Sequence, residues 1–137
     1  MGKVAGLKVG EVAKQAGVNL QTVHYYERRG LLPRPPRTDS NYRAYPPDAV
    51  RRVRFIKRAQ ELGFSLKEIQ ELLSLRAAPR TRCADVRARA EAKALDIDIK
   101  IRSLEAMRKS LSKVIRECSG TGPATECPIL DALDSGV

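Results

Sequence analysis

The sequence lacks several features that would place the chain in a common class. It has a single histidine, His24, and shows no Ser/His/Asp or carboxylate constellation, so no catalytic centre is evident. Three cysteines are an odd number, which argues against a disulfide framework. No run of 18 apolar residues offers a membrane span, and no apolar segment near the N-terminus suggests a signal peptide. We therefore expect a cytoplasmic chain without a membrane partner and without enzymatic activity.

Positive charge is abundant and unevenly distributed. The formal net charge of the 137 residues is +10. Residues 1–80 carry 16 Lys/Arg against 7 Asp/Glu, whereas residues 81–137 carry 10 against 9. A basic half fits a polyanion as partner, although a merely solvated basic surface is the alternative. The asymmetry predicts that the two halves have different tasks.

The beginning of the chain has the pattern of two short helices joined by a turn. Apolar residues at helical intervals, starting at Leu7, predict a first helix over residues 7–15. Gly17 suits a tight turn, and Asn19 is a candidate N-cap for a second helix over residues 20–28. The side chains expected to face inward from this second helix are Leu20, Val23 and Tyr26. The arrangement is typical of a helix-turn-helix.

A proline-rich segment follows. Residues 31–47 hold five of the eight prolines, so they cannot form a helix. Residues 39–41 are typical of a turn and residues 42–45 of a short returning strand, which together predict a small β-hairpin, or wing. Three arginines and two tyrosines in this segment suit contact with phosphates. A proline-rich linker is the alternative.

Two amphipathic helices complete the basic half. The first is predicted over residues 47–62 and has a series of apolar residues at helical spacing, namely Val50, Val53, Ile56 and either Ala59 or Gln60. Ser65 caps the second, with Glu68 three residues later forming a capping box. Pro79 ends it.

Residues 81–118 predict one long helix, because they contain neither proline nor glycine. Positions in alternating steps of four and three form a heptad seam: Ala90, Ala94, Ile97, Ile101, Leu104, Arg108, Leu111, Ile115 and Cys118. Such a helix spans roughly 57 Å, which is too long to be covered by an 80-residue head. The pattern predicts a coiled-coil homodimer, with a helix folded back on its own domain as the alternative.

The cysteines lie at the two ends of this helix. Cys83 is near its start, Cys118 is at its end, and Cys127 follows nine residues later across a loop. Cys118 and Cys127 can meet, but Cys83 lies roughly 53 Å from Cys118 along the helix. In an antiparallel dimer, Cys83 of one chain would lie beside Cys118 and Cys127 of its partner. We therefore predict two sites per dimer, each with three thiolates.

Three thiolates favour a soft metal ion. Structural zinc prefers four ligands, and the chain has no fourth cysteine, although Asp, Glu or water could complete a zinc site. The closely spaced cysteines of iron–sulfur centres are absent. The donor set therefore suits Hg(II), or Pb(II), which accept three-coordinate thiolate sites.

The head resembles the MerR family of regulators over residues 7–75, through YYERRGLL, YRAY and FIKRAQELGFSLKEI. The tail, with Cys83 and CSGTGPATECPILDAL, is similar to the mercury-responsive branch. This resemblance implies a winged helix-turn-helix head and an antiparallel dimerisation helix. It also implies binding to a promoter with an overlong spacer, which the metal-loaded dimer distorts so that RNA polymerase can initiate.

The resemblance also suggests alternative effector metals, and the chain differs from the family pattern at one residue. Zinc sensors of this family have an adjacent cysteine pair and a histidine in the metal loop, whereas here Glu117 precedes Cys118. Lead and cadmium sensors can share the three-cysteine spacing and remain alternatives, as does Zn(II). The family usually has arginine, which contacts DNA, at the position of His24. A neutral histidine can still donate one hydrogen bond, so the operator is expected to differ.

These expectations combine into one interpretation. We predict a mainly α fold with a winged helix-turn-helix DNA-binding domain (1–80), a long antiparallel coiled-coil dimerisation helix (81–118) and a metal-binding loop with a short terminal helix (119–137). Hg(II) would be the effector, held by the three cysteines. The residues expected to contact DNA are Lys14, Gln21, Thr22, His24, Tyr25, Arg43 and Tyr45. A thiol protein that only buffers metal is the alternative of a different class.

Overall fold

The computed structural model describes residues 6–136, and it divides the chain into two compact units, residues 1–89 and 90–137. The described part is mainly helical. Its elements in chain order are α1 (Val9–Ala16), α2 (Leu20–Arg28), α3 (Asp48–Glu61), α4 (Leu66–Ala77), α5 (Cys83–Glu117), a 3₁₀ turn (Ala124–Glu126) and α6 (Pro128–Asp134). All of the helices predicted from apolar periodicity are present, with ends that differ from the prediction by at most two residues.

The core of the first unit forms where α1 packs on α2 and α3, and α3 packs on α4. The predicted inward positions Val50, Val53, Ile56 and Ala59 are buried, as are Val23 and Tyr26. Full burial of a side chain such as Ile56 or Ile69 stabilises the fold by roughly 1.5–3 kcal/mol. The hydrophobic pattern therefore predicted these six core positions of α2 and α3 correctly.

Helix caps fix where two of these helices begin. The Asn19 side chain accepts a hydrogen bond from the backbone N–H of Thr22 at 2.8 Å. Ser65 Oγ accepts from the backbone N–H of Glu68 at 3.1 Å, and Glu68 accepts from the backbone N–H of Ser65 at 2.8 Å. Both predicted caps are confirmed, and they satisfy backbone donors that have no partner inside the helix.

The start of the chain and the wing differ from the prediction. Leu7 was expected in the first helix, but it forms an isolated antiparallel bridge with Tyr45, through two backbone hydrogen bonds of 2.8 Å. The predicted strand over residues 42–45 is also not a regular strand. A second bridge, between Arg37 and Arg43, closes a tight loop in which Asn41 has a left-handed φ of 63°. Pairing with a distant segment overrode the local helical pattern at Leu7.

The inward face of α2 begins later than expected. Leu20, the first residue of the helix, is 44% exposed, so the prediction that it faces the core is wrong. Val23, Tyr26 and Glu27 are the buried residues of this helix. The burial of a glutamate was not predicted, and its partners define part of the site described below.

The second unit contains most of α5, followed by the loop and α6. Helix α5 extends over 35 residues, close to the predicted range 81–118. In the single chain its seam residues Leu104, Leu111 and Ile115 are exposed by 62%, 54% and 60%. A row of large apolar side chains in contact with water is unfavourable, and burying it against another surface would stabilise the helix.

Candidate DNA interface and metal centre

The turn between α1 and α2 is held by α3. Gly17 adopts a left-handed φ of 72° and ends α1. Arg54 donates a hydrogen bond to the Gln15 carbonyl at 2.7 Å, and Lys57 donates to the Gly17 carbonyl at 3.0 Å. These cations satisfy carbonyl groups at the end of α1 and thereby fix α1 and α2 relative to α3. The sequence indicated only that Arg54 and Lys57 lie outside the apolar face.

The outer face of α2 presents polar and aromatic groups. Gln21 and Tyr25 are exposed, and the Arg28 guanidinium lies 5.9 Å from the centre of the Tyr25 ring. Thr22 is partly buried, and its hydroxyl donates to Asn19 Oδ1 at 2.9 Å. Lys14, at the end of α1, is exposed as well. Most of the predicted contact residues of the helix-turn-helix are therefore accessible to a ligand.

The wing is braced by one of its own arginines. Arg43 Nη1 donates to the Pro35 carbonyl at 2.7 Å, and its side chain is half-buried. Tyr42 is 37% exposed, and Lys8 Nζ lies 4.9 Å from the centre of its ring. Arg43 thus has a structural bond within the wing in addition to the predicted role at the DNA backbone.

Tyr45 does not fit the predicted contact with DNA. Its side chain is 1% exposed, and its hydroxyl donates to Glu27 Oε2 at 2.5 Å. Burial raises the pKa of Tyr45 well above its ordinary value, and the hydrogen bond to Glu27 and the charge of Glu27 raise it further. The hydroxyl therefore keeps its proton and acts as a donor to the buried carboxylate. Tyr45 joins the wing to α2 instead of facing outward.

The same carboxylate contacts His24. Glu27 Oε1 lies 3.0 Å from His24 Nδ1, and the Glu27 side chain is only 2% exposed. One buried carboxylate therefore links the α2 residue that departs from the family pattern to the wing. Helical spacing could have predicted the burial of Glu27, because this residue lies four positions after Val23 and therefore falls on the buried face of α2.

Two of the three cysteines come together in the second unit. The Cys127 thiol is within interaction distance of Cys118. The backbone N–H groups of Leu130 and Ile129, followed by the Cys118 side chain, lower the pKa of Cys127 from its ordinary value. All three cysteines are free of disulfides, and Cys83 is exposed at the first position of α5. Cys118 and Cys127 thus form a pair of soft donors.

Within one chain, residues 6–136 bring together no group of three or more His, Cys, Asp or Glu side chains suited to a metal ion. The described cysteines instead fall into a pair and a single residue, at opposite ends of α5. A three-thiolate site therefore needs a donor from outside this cysteine pair. No helix among the described residues combines the length and apolar character that crossing a membrane requires.

The fold and its exposed polar face define a DNA-binding protein of the winged helix-turn-helix type. Residues 7–75 match the family model described as "MerR HTH family regulatory protein", and residues 50–114 match "MerR, DNA binding". A mercuric resistance operon regulatory protein from Bacillus cereus is 40% identical over 126 residues, covering 92% of this chain and 96% of that protein. The chain belongs to the MerR family of transcriptional regulators, whose members are not enzymes.

Solved structures support the same grouping. The lead(II) complex of the transcription regulator PbrR691 from Ralstonia metallidurans matches with a TM-score of 0.81 and 35% identity, and the alignment covers 93% of this chain and 98% of that one. The mercury(II) complex of a MerR regulator from Bacillus megaterium matches with a TM-score of 0.71 and 36% identity, at the same coverage. The chain therefore groups with metal-responsive regulators of the family.

The role of Tyr45 can be tested by removing only its hydroxyl. Tyr45→Phe should lower the free energy of unfolding by about 1–3 kcal/mol, because it leaves the buried Glu27 carboxylate with one donor fewer. Tyr42→Phe is the matched control and should change it by less than about 0.5 kcal/mol, since this ring lies near the surface. Urea denaturation at one fixed protein concentration measures both. Equal effects of the two variants would contradict the buried bond.

Proposed function

We propose that this regulator binds promoter DNA as a homodimer and responds to Hg(II) held by Cys83, Cys118 and Cys127. The metal-loaded dimer would distort the promoter so that RNA polymerase initiates. The observation that carries the proposal is the distribution of thiols: a pair at one end of a 35-residue helix and a single exposed thiol at the other. Residues 1–80 would bind DNA, residues 81–118 would dimerise, and residues 119–137 would complete the metal site.

The exposed seam and the length of α5 support dimerisation. Ile101, Leu104 and Leu111 are each about half exposed or more in the single chain, and they repeat at heptad spacing. A second copy of α5 supplies a matching apolar stripe. The antiparallel arrangement brings the start of one helix to the end of the other, so that Cys83 approaches the Cys118–Cys127 pair of the partner.

The donor set supports a soft ion. Thiolate ligands select soft metals, and three of them without a fourth strong protein ligand suit Hg(II). The relatives support metals of this kind without separating them, because one solved relative is a lead(II) complex and another a mercury(II) complex. Pb(II), Cd(II) and Zn(II) are therefore the ions against which the proposal has to be measured.

The DNA-facing surface combines α2 with the wing. We assign Lys14, Gln21, Thr22, His24, Tyr25 and Arg43 to it, and we give the buried Tyr45 a supporting role. A recognition helix places side chains against base edges in the major groove, while a basic wing residue contacts the phosphate backbone. The excess of positive charge in residues 1–80 supports this assignment.

Removal of the wing arginine tests the DNA interface. Arg43→Ala should weaken binding to all DNA sequences and should lower the slope of log K against log salt by about one, because one phosphate contact is lost. Arg102→Ala removes the same charge from α5 and should leave the slope unchanged. Electrophoretic shifts across a salt series, with the DNA upstream of the protein's own gene, provide the measurement. A chain that only buffers metal would show no shift with that DNA.

The choice of metal can be measured with a promoter-reporter titration. Hg(II) should activate transcription at a lower concentration than Cd(II), Pb(II) or Zn(II), because three soft thiolates suit it best. The matched control is the Cys118→Ala variant, which should lose the response to every ion. A first response to Pb(II) or Cd(II) would contradict the mercury assignment while leaving the metal switch intact.

A mixed dimer tests whether each site is built from both chains. One chain carries Cys83→Ala, and the other carries Cys118→Ala with Cys127→Ala. Neither mutant homodimer can assemble three thiolates, but the mixed dimer should bind one Hg(II) tightly, because Cys83 of the second chain meets the intact pair of the first. Metal stoichiometry and the ultraviolet thiolate-to-metal band of doubly tagged dimers provide the measurement. Without recovery in properly mixed dimers, the cross-chain site is ruled out.

A further inference from the structure

The contact between His24 and Glu27 determines which kind of hydrogen bond His24 can offer to DNA. Each oxygen of the Glu27 carboxylate has its own partner: Oε1 lies 3.0 Å from His24 Nδ1, and Oε2 accepts from the Tyr45 hydroxyl at 2.5 Å. The carboxylate is nearly fully buried, with 2% of its side chain exposed. Packing around it therefore holds it against His24.

An ionised carboxylate can only accept hydrogen bonds. Its contact with His24 Nδ1 therefore requires a proton on Nδ1, because two acceptors at 3.0 Å would repel each other. In a neutral imidazole only one ring nitrogen carries a proton. The other nitrogen of His24, Nε2, consequently presents a lone pair.

The His24 side chain is 44% exposed on α2, the helix that also exposes Gln21 and Tyr25. We infer that neutral His24 reads an exocyclic amine in the major groove, accepting a hydrogen bond at Nε2 from adenine N6 or cytosine N4. This inference rests on the proposed DNA-binding function of α2. It differs from the expectation that a neutral His24 would act as a donor at this position.

The polarity of Nε2 also excludes other contacts of the same nitrogen. Guanine N7 and O6, thymine O4 and the phosphate oxygens are all acceptors, so they would face the lone pair unfavourably. An arginine at this position would have only donors and would prefer those groups. Histidine held by Glu27 therefore predicts a change in the preferred base, and not merely a weaker contact.

Deletion of single amino groups from the operator tests the inference. An operator is first selected from random duplexes with the wild-type protein at pH 8. Each adenine is then replaced by purine, which lacks the N6 amine, and each cytosine by 2-pyrimidinone, which lacks the N4 amine. At one position per half-site, deletion of the amine should weaken binding by the wild-type protein about fivefold more than it weakens binding by the His24→Ala variant. The His24→Ala variant is measured on the same duplexes and so corrects for weakened base pairing.

A second variant tests the part played by Glu27. Glu27→Gln keeps the shape of the side chain, but an amide carries both a donor and an acceptor, so it no longer fixes the proton on Nδ1. The loss of affinity that depends on both the deleted amine and His24 should become smaller in this variant. If that loss of affinity were unchanged, the role of Glu27 would be overturned.

The remaining outcomes separate the inference from the function on which it rests. Sequence-specific binding without any amine linked to His24 would overturn the inference alone. Failure of the wild-type protein to select any operator would overturn the DNA-reading function and the inference together.

Discussion

The DNA-facing half of this protein depends on the hydrogen bonds that the buried Glu27 carboxylate makes with Tyr45 and His24. Burial of this carboxylate would cost several kcal/mol without partners, and the Tyr45 hydroxyl and His24 Nδ1 offset that cost. Because one partner is in the wing and the other is in α2, the carboxylate ties together the two elements that must approach DNA in a fixed geometry. The bridge between Leu7 and Tyr45 adds the beginning of the chain to the same arrangement.

A different constraint, helix length, governs the other half. Helix α5 has 35 residues and exposes large apolar side chains, so a second surface must cover it and its two ends cannot meet within one chain. In the proposed dimer one arrangement satisfies both conditions, since an antiparallel partner covers the seam and brings the missing thiol to the Cys118–Cys127 pair. Dimerisation and metal binding would then be linked, because the two three-thiolate sites form only when the helices pair.

The features that could be predicted from sequence are those determined by near neighbours in the chain. Periodicity located the helices, and the side chains of Asn19 and Ser65 marked where two of them begin. Periodicity and capping residues could not predict which distant residues pair with each other. Leu7 fits the apolar spacing of a helix, yet its backbone pairs with Tyr45. The sequence places Tyr45 on the surface of the wing, because its hydrogen bond to the buried Glu27 is a contact between residues far apart in the chain. The pairing of Cys118 with Cys127 was predictable because only a short loop connects them.

A single residue can change the bases that such a DNA-binding head prefers without changing its fold. Arginine has five N–H donors, so it could satisfy Glu27 and still donate to DNA. Histidine has only two ring nitrogens, and the bond to Glu27 uses the proton of one of them, which leaves an acceptor on the other. The buried carboxylate thus transmits its own polarity through the imidazole to the surface of α2. Because Tyr45 holds that carboxylate from the side of the wing, the residue that joins the wing to α2 also helps to set the hydrogen-bonding character of the recognition helix.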